Sequence, residues 1–294
     1  MTRDQAFPSL LVFGASSQIG CFLLPLLTGQ GMRVLAVSRN ARGDAEGVTW
    51  LRGSLPDHAP TSELERIETI VSFGPLDALA AWLQCASLPN LRRVIATSSM
   101  SAESKRNSPV AAERALAQRL RDAEAALAAI CEKSGAAWTI LRPTLIYGAG
   151  MDYSLTPLAR RAARWRVFAL PAGNGLRQPV HAQDIARAVI AGLQRPQSAG
   201  HVIPIGGGER LRAAQMFARV RASLSVRSLP LPVPRLAIAI AQKVLPALRG
   251  PLSRLEQDLV ADNTELERLL EVHPRGFAPD ACMWESRRAW QSRE

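Results

Sequence analysis

The sequence predicts an α/β fold, a doubly wound parallel sheet covered by helices on both faces. Leu10 to Phe13 is a short, wholly apolar run with the composition of a parallel strand buried on both sides. From residue 10 to residue 147 such runs alternate with segments of helical spacing, the order expected of a parallel sheet with crossover helices. In a chain of 294 residues, a content of 47% hydrophobic residues can fill a sizeable core.

The first element and its neighbour are joined by Gly14-Ala15-Ser16-Ser17-Gln18-Ile19-Gly20, which leads into the apolar run Cys21 to Leu27, a helix starting near Gln18. Strand, glycine turn and helix in that order place backbone N–H groups and a helix N-terminus where a pyrophosphate can sit. Gly14 permits the tight turn and Gly20 lets the helix pack closely on the strand. Ser17 stands where backbone approaches the phosphates, in place of the usual middle glycine. The same string would also serve as a plain strand-to-helix connection.

After the helix stop Gly29-Gln30-Gly31, Arg33 to Ser38 reads as the second strand. A carboxylate at its end would hold ribose hydroxyls. Ser38 and Arg39 offer a hydroxyl and a guanidinium instead, a pairing suited to a 2′-phosphate, so NADP is expected in preference to NAD, with NAD still open. Trp50-Leu51 is a short third strand. Ile67 to Phe73 is the fourth, and Gly74-Pro75 after it is a turn that lets backbone pass under a cofactor. Leu76 to Ala86 is helical, and Arg93 to Thr97 is the fifth strand, ending in Thr97-Ser98-Ser99-Met100-Ser101. Ligands of such sheets bind beyond the carboxyl ends of the strands, so this hydroxyl cluster faces the expected cleft. Val110 to Cys131 is a long helix ended by Ser134-Gly135. Trp138 to Leu141 then leads into Arg142-Pro143-Thr144-Leu145-Ile146-Tyr147-Gly148.

Composition narrows the classes. The formal charge of +11 is almost all arginine, since Lys105, Lys133 and Lys243 are the lysines. The arginines are spread over many predicted helices without aromatic interleaving, so no nucleic-acid partner is expected. Cys21, Cys85, Cys131 and Cys282 are far apart and the four histidines are unclustered, which leaves no metal site or disulfide framework in view. Met1 to Pro8 has no apolar signal core and no run is long enough to span a membrane, so a cytoplasmic protein acting on a small molecule is expected.

Taken together, the glycine turn, Thr97-Ser98-Ser99, the segment Leu141 to Gly148, Val180-His181-Ala182-Gln183-Asp184-Ile185-Ala186 and Ile205-Gly206-Gly207-Gly208-Glu209 resemble the extended and atypical short-chain dehydrogenase/reductase superfamily, the NAD-dependent epimerase/dehydratase group. Pro274-Arg275-Gly276-Phe277 looks like the closing segment of atypical members. The resemblance implies a Rossmann-type sheet with a smaller C-terminal substrate domain. Residues 1–150 with 178–206 would bind the dinucleotide, and residues 151–177 with 207–294 the substrate. It further implies that Gly14 to Gly20, Ser38, Arg39, Phe73, Gly74, Pro75, Thr97, Ser98, Pro143 and Thr144 line the cofactor.

One departure from the family pattern matters more than the match. The family uses a Tyr-x-x-x-Lys pair in which lysine lowers the tyrosine pKa for proton exchange with substrate. Here Tyr147 and Tyr153 are the tyrosines, followed four residues on by Met151 and Pro157. Counting back from Glu124, the dyad positions hold Leu116 and Leu120. Two classes therefore stand. In one, an enzyme uses Ser98, Ser99 or Ser101 to polarise substrate, with Tyr147 or water as proton source. In the other, a dinucleotide-binding module acts as a sensor or assembly factor. In the C-terminal part, Arg160, Arg161, Arg164 and Arg166 crowd one predicted helix, as a solvated face or a clamp for an acidic substrate. The apolar piece Leu236 to Leu245 either covers the pocket, the favoured reading, or lies on a membrane surface. Asp184 is expected to support the first turn of a helix.

Overall fold

The computed structural model of the chain describes residues 9–57, 64–234, 236–237, 240 and 254–285. Its centre is a seven-stranded sheet, all neighbours parallel. The strands are β1 (Leu10–Phe13), β2 (Val34–Ser38), β3 (Val48–Arg52), β4 (Thr69–Ser72), β5 (Arg93–Thr97), β6 (Ala137–Pro143) and, after four strands that lie elsewhere, β11 (His201–Ile205). In space they run β11-β6-β5-β4-β1-β2-β3. The chain builds outward from β1 to one side, then returns to β4 on the other, so the strand order reverses between β1 and β4.

Side-chain alternation accounts for the two cores. Leu10 and Val12 of β1 face the helices α1 (Gly20–Gly29) and α6 (Ala182–Gln194), in a cluster with Leu23, Leu27, Ile185 and Val189. Leu11 and Phe13 face the opposite way, packing with Leu79 and Trp82 of α2 (Leu76–Cys85) and Leu127 of α4 (Ala111–Ser134). A strand buried on both faces must be apolar at every position, which is why β1 reads as an unbroken apolar run.

Element ends match the local chemistry. Gly135, at φ 75°, closes α4 in the left-handed conformation that glycine adopts without strain. The fourth strand is shorter than expected because Leu64–Arg66 forms a 3-10 turn to which Ile67 is tied, its N–H donating to the Leu64 carbonyl at 3.1 Å. Beyond the fifth strand the hydroxyl cluster runs into a short helix, α3 (Ser101–Ser104).

The remaining described elements form a third core. They include β7 (Ile146–Tyr147), α5 (Thr156–Trp165), β8 (Val167–Pro171), β9 (Leu176–Arg177), β10 (Val180–His181), β12 (Leu211–Arg212), α7 (Ala213–Ala222) and β13 (Leu229–Val233). Tyr147, Leu155, Phe168, Leu211, Met216, Phe277 and Trp284 are its buried centre. A buried carboxylate ties this part to the sheet. Asp184, 1% exposed at the start of α6, accepts the Arg275 backbone N–H at 3.0 Å and its guanidinium at 2.9 Å. Asp184 thus does more than support the first turn of α6. Most of the apolar piece Leu236 to Leu245, and all of Met1 to Pro8, lie outside the described residues. No helix among the described residues is long and apolar enough to cross a membrane.

Candidate dinucleotide and substrate site

Parallel register brings the predicted cofactor residues to one edge. Phe13 is level with Val37 in β2 and with Ser72 in β4, Ser72 with Ala96 in β5, and Thr97 with Leu141 in β6, so the loops after these strands open on the same side. At the switch point Gly14 and Phe73-Gly74 touch. A Cβ on Gly14, at φ 69°, would meet the Phe73 Cβ at 3.1 Å. Gly20 packs closer still, since a Cβ there would stand 2.8 Å from the Ala15 Cα and overlap the Ala15 carbonyl. The Ser17 N–H donates to the Gly14 carbonyl at 2.8 Å and the Ser17 Oγ accepts the Gly20 N–H at 3.2 Å, so the serine that replaces the middle glycine closes the turn on itself. Ile19 precedes the helix without a side-chain cap, and the first N–H groups of α1 are donated within the turn itself, Cys21 to the Ser17 carbonyl at 3.0 Å and Phe22 to the Ile19 carbonyl at 3.1 Å.

Two of the four orphaned buried polar atoms among the described residues lie at this edge. Gln18 Oε1 beside the glycine turn and Ser98 Oγ beyond β5 are buried without a hydrogen-bond partner. Buried polar atoms are almost always paired, and these two lie at loops where a ligand crossing the strand ends would pass. At the end of β2, Ser38 is buried and its Oγ accepts from the Asn40 N–H at 3.3 Å and the Arg42 Nε at 3.4 Å. Arg39 is exposed, whereas Arg42 is half-buried with its guanidinium 5.0 Å from the Trp50 ring centroid. The sequence pointed to Arg39 alone; the chain folds a second arginine back onto the same serine.

A cavity of about 660 Å³ adjoins this edge. Gln18, Ser99, Ser101 and Thr144 line its sheet side, and Leu155, Met216, Phe217 and Leu259 its far wall. Lys105 and Arg177 are its cations. Lys105 follows α3 and lies 3.9 Å from Glu113, which in turn accepts from Ser108 at 2.7 Å. Arg177 is buried and donates to the Leu176 carbonyl at 2.8 Å and the Gln257 carbonyl at 2.5 Å. Ser99 Oγ accepts the Ser101 N–H at 3.1 Å, which leaves its own O–H to be donated elsewhere. Thr144 donates to the Gln178 carbonyl and is committed to holding its loop.

Tyr147 is not part of this cavity. It is 1% exposed, edge-on to His181 at 5.2 Å and to Phe277 at 4.9 Å, with a backbone hydrogen bond at Ala278. Burial pushes its phenol up to about 12. A ring so enclosed packs the substrate side against the sheet; the expectation that it exchanges a proton with substrate has no support in this placement. His181 is equally structural. Its Nδ1 accepts the Gln183 N–H at 3.1 Å as the cap of α6, and burial, with the Arg275 charge, lowers its pKa to about 4. Leu116 and Leu120 sit half-buried on α4 and offer no proton. Lys105, Arg177 and Arg42 escaped the sequence reading because no local pattern marks them; that Lys105 is one of three lysines in an arginine-rich chain was the one available signal. Among the described residues no group of histidine, cysteine and acidic side chains could hold a metal ion.

A doubly wound sheet with a glycine turn at its switch point and a second unit closing over the strand ends defines a dinucleotide-binding protein. Sequence comparison agrees: a family model described as NAD(P)H-binding matches residues 14–196, and the chain belongs to that family. No curated protein matches significantly. Among solved structures, MoeE5 in complex with UDP-glucuronic acid and NAD is similar over 97% of this chain and 99% of its own, with a TM-score of 0.73 at 18% identity. The UDP-glucuronic acid 4-epimerase of Bacillus cereus, bound to UDP-glucuronic acid and NAD, has a TM-score of 0.72 at 14% identity, covering 97% and 99% of the two chains. A short-chain dehydrogenase/reductase superfamily protein of Agrobacterium tumefaciens with bound NAD has 0.68 at 14%, covering 97% of each. At these identities the likeness is one of fold, that of the NAD-dependent epimerases and short-chain dehydrogenase/reductases.

Proposed function

We propose that this protein is an NADP-dependent oxidoreductase of the cytoplasm acting on a small, largely apolar carbonyl compound. The observation that carries the reading is the single cavity shared by the cofactor edge (Gln18, Ser99, Thr144) and a wall from residues 151–177 and 207–294 in which Leu155, Met216, Phe217 and Leu259 stand beside the polar Asp152, Tyr153 and Asp258. The bound dinucleotide would supply hydride. Around it, the turn Gly14 to Gly20 would seat the pyrophosphate at the start of α1, and Ser38, Arg39 and Arg42 would hold the 2′-phosphate. Ser98, whose Oγ is orphaned, would bond the cofactor and Ser99 would donate its O–H to the substrate carbonyl oxygen. With leucines at the dyad positions, the Lys105 ammonium and the Tyr153 phenol are both proton donors that line the cavity, and Lys105, beside the cofactor edge, is taken as the one that delivers the proton. The leucines, Met216 and Phe217 of that wall suit a compound less polar than the UDP-sugars bound by the neighbours. The cysteines at 21, 85, 131 and 282 form no disulfide with one another, as suits a reducing compartment.

The test is NADPH oxidation over a panel of aldehydes, ketones and enones. On the first substrate reduced, Ser99→Ala and Lys105→Met each lower kcat at least tenfold with little change in NADPH affinity, while Tyr147→Phe keeps turnover. Full turnover in both cavity variants refutes the assignment of donors. NADPH binding without turnover on any substrate replaces the enzyme by a dinucleotide sensor or assembly factor, the reading that Leu116 and Leu120 favour.

A further inference from the structure

We propose that the outer face of the β8–β13 pair, together with the C-terminal end of α5, docks on an anionic lipid bilayer. The face is apolar where solvent should make it polar. Trp165 is 64% exposed, Val167 40%, Leu229 71% and Leu231 53%. Leu229 lies opposite Val167, and Leu231 opposite Ala169, in a parallel pair, so these four side chains share one side of the ribbon. Phe168, between Val167 and Ala169, turns the other way into the core with Leu211, Met216 and Phe277. Lone exposed apolar residues are ordinary, but a contiguous group on a flat two-stranded face marks an interaction surface.

Charge identifies the partner. Arg161, Arg164, Arg166 and Arg227 are exposed around this face, and none has a carboxylate partner among the described residues. The Arg161 guanidinium lies 5.6 Å from the Trp165 ring centroid, an indole and a cation presented together. The setting extends well beyond four side chains. Residues 153–183 and 210–234 hold ten arginines and no aspartate or glutamate, whereas the whole chain has 36 basic and 25 acidic residues. The basic excess is therefore concentrated in these two segments, and the rest of the chain carries 26 basic and 25 acidic residues. Leucines and a tryptophan rimmed by arginines match a surface of anionic headgroups over acyl chains. A second copy would bring arginine against arginine. Nucleic acid would meet leucines that neither stack on bases nor pair with phosphates. Leu158 of the same α5 and Leu155 just before it line the cavity, so docking here would hold the cavity mouth close to the bilayer.

The experiment is flotation of the full chain with phosphatidylcholine vesicles made with or without phosphatidylglycerol. The expected result is binding to the anionic vesicles alone, weakened by salt. Removing one arginine, as in Arg164→Ala, should lower partitioning about fivefold. The double variant Leu229→Glu/Leu231→Glu should lower it at least tenfold, with NADPH affinity and melting temperature unchanged as the measure of intact folding. Absence of wild-type binding to anionic vesicles overturns the proposal, as does unchanged binding by the leucine variant. So does a wild-type dimer that the leucine variant dissociates, which gives the face to a second copy, or duplex DNA binding that survives the leucine changes.

Discussion

Gly20→Ala tests whether the turn into α1 is built to the tolerance that dinucleotide binding needs. The substitution normally favours a helix, because alanine loses less backbone freedom than glycine on folding. At position 20 the added Cβ would stand 2.8 Å from the Ala15 Cα, where ordinary contact begins at 3.4 Å, and would overlap the Ala15 carbonyl. These are backbone atoms between a buried strand and a buried helix, so no flexible side chain can give way. The helix start must shift off the turn, and overpacking of this kind costs about 1–3 kcal/mol. For a chain of this size that corresponds to roughly 2–4 °C of melting temperature per kcal/mol. The shift also moves the glycine turn away from the pyrophosphate proposed to sit on it, so NADPH affinity should fall at least tenfold. Gly29→Ala is the internal control, since nothing lies within 4 Å of its Cβ at the far end of the same helix. It should be neutral or stabilising by up to about 1 kcal/mol, with affinity unchanged. Differential scanning calorimetry and a fluorescence titration with NADPH read both effects. Equal melting temperatures and equal affinities in Gly20→Ala and wild type would refute the packing argument and, with it, the role given to Gly20.

Three further outcomes follow from the geometry. Arg42→Ala should weaken NADPH binding about tenfold, through loss of a charge-assisted phosphate contact, and leave NADH binding nearly unchanged; equal effects on the two dinucleotides would remove Arg42 from the 2′-phosphate site. Asp184→Ala strands the Arg275 guanidinium and one backbone N–H, and because that guanidinium is partly exposed the loss should lie near the lower end for such pairs, about 3 kcal/mol by chemical denaturation. His181 has a pKa of about 4 when folded, against an ordinary value of 6.5, so the unfolded chain takes up its proton first. Its contribution is complete above pH 6.5 and is lost as pH falls from 6.5 to about 4, by up to about 3 kcal/mol, a slope that His181→Asn should flatten while keeping the cap.

Much of the fold was legible in the chain because its signals are local. An apolar run at Leu10 to Phe13, glycines at 14, 20 and 135, and helical spacing at Leu76 to Ala86 each follow from the conformations that one short segment can adopt while buried. The missing dyad was equally legible, since two tyrosines and three lysines leave few arrangements to check. Tertiary packing alone decided the remainder. Tyr147 sits in a segment that sequence places beside a cofactor, yet the approach of Phe277 and His181, from 130 and 34 residues away, encloses it. Arg42 reaches Ser38 only because Trp50 on the next strand offers a ring to hold it. Lys105 becomes a cavity residue only when the wall carrying Leu155 and Met216 closes over the strand ends. Four of the arginines that looked evenly spread over helices, Arg161, Arg164, Arg166 and Arg227, stand around an exposed apolar ribbon once β8 and β13 pair. Periodicity reports the face of an element that turns inward; what that face meets depends on contacts between residues distant in sequence, and those are made only in the folded chain.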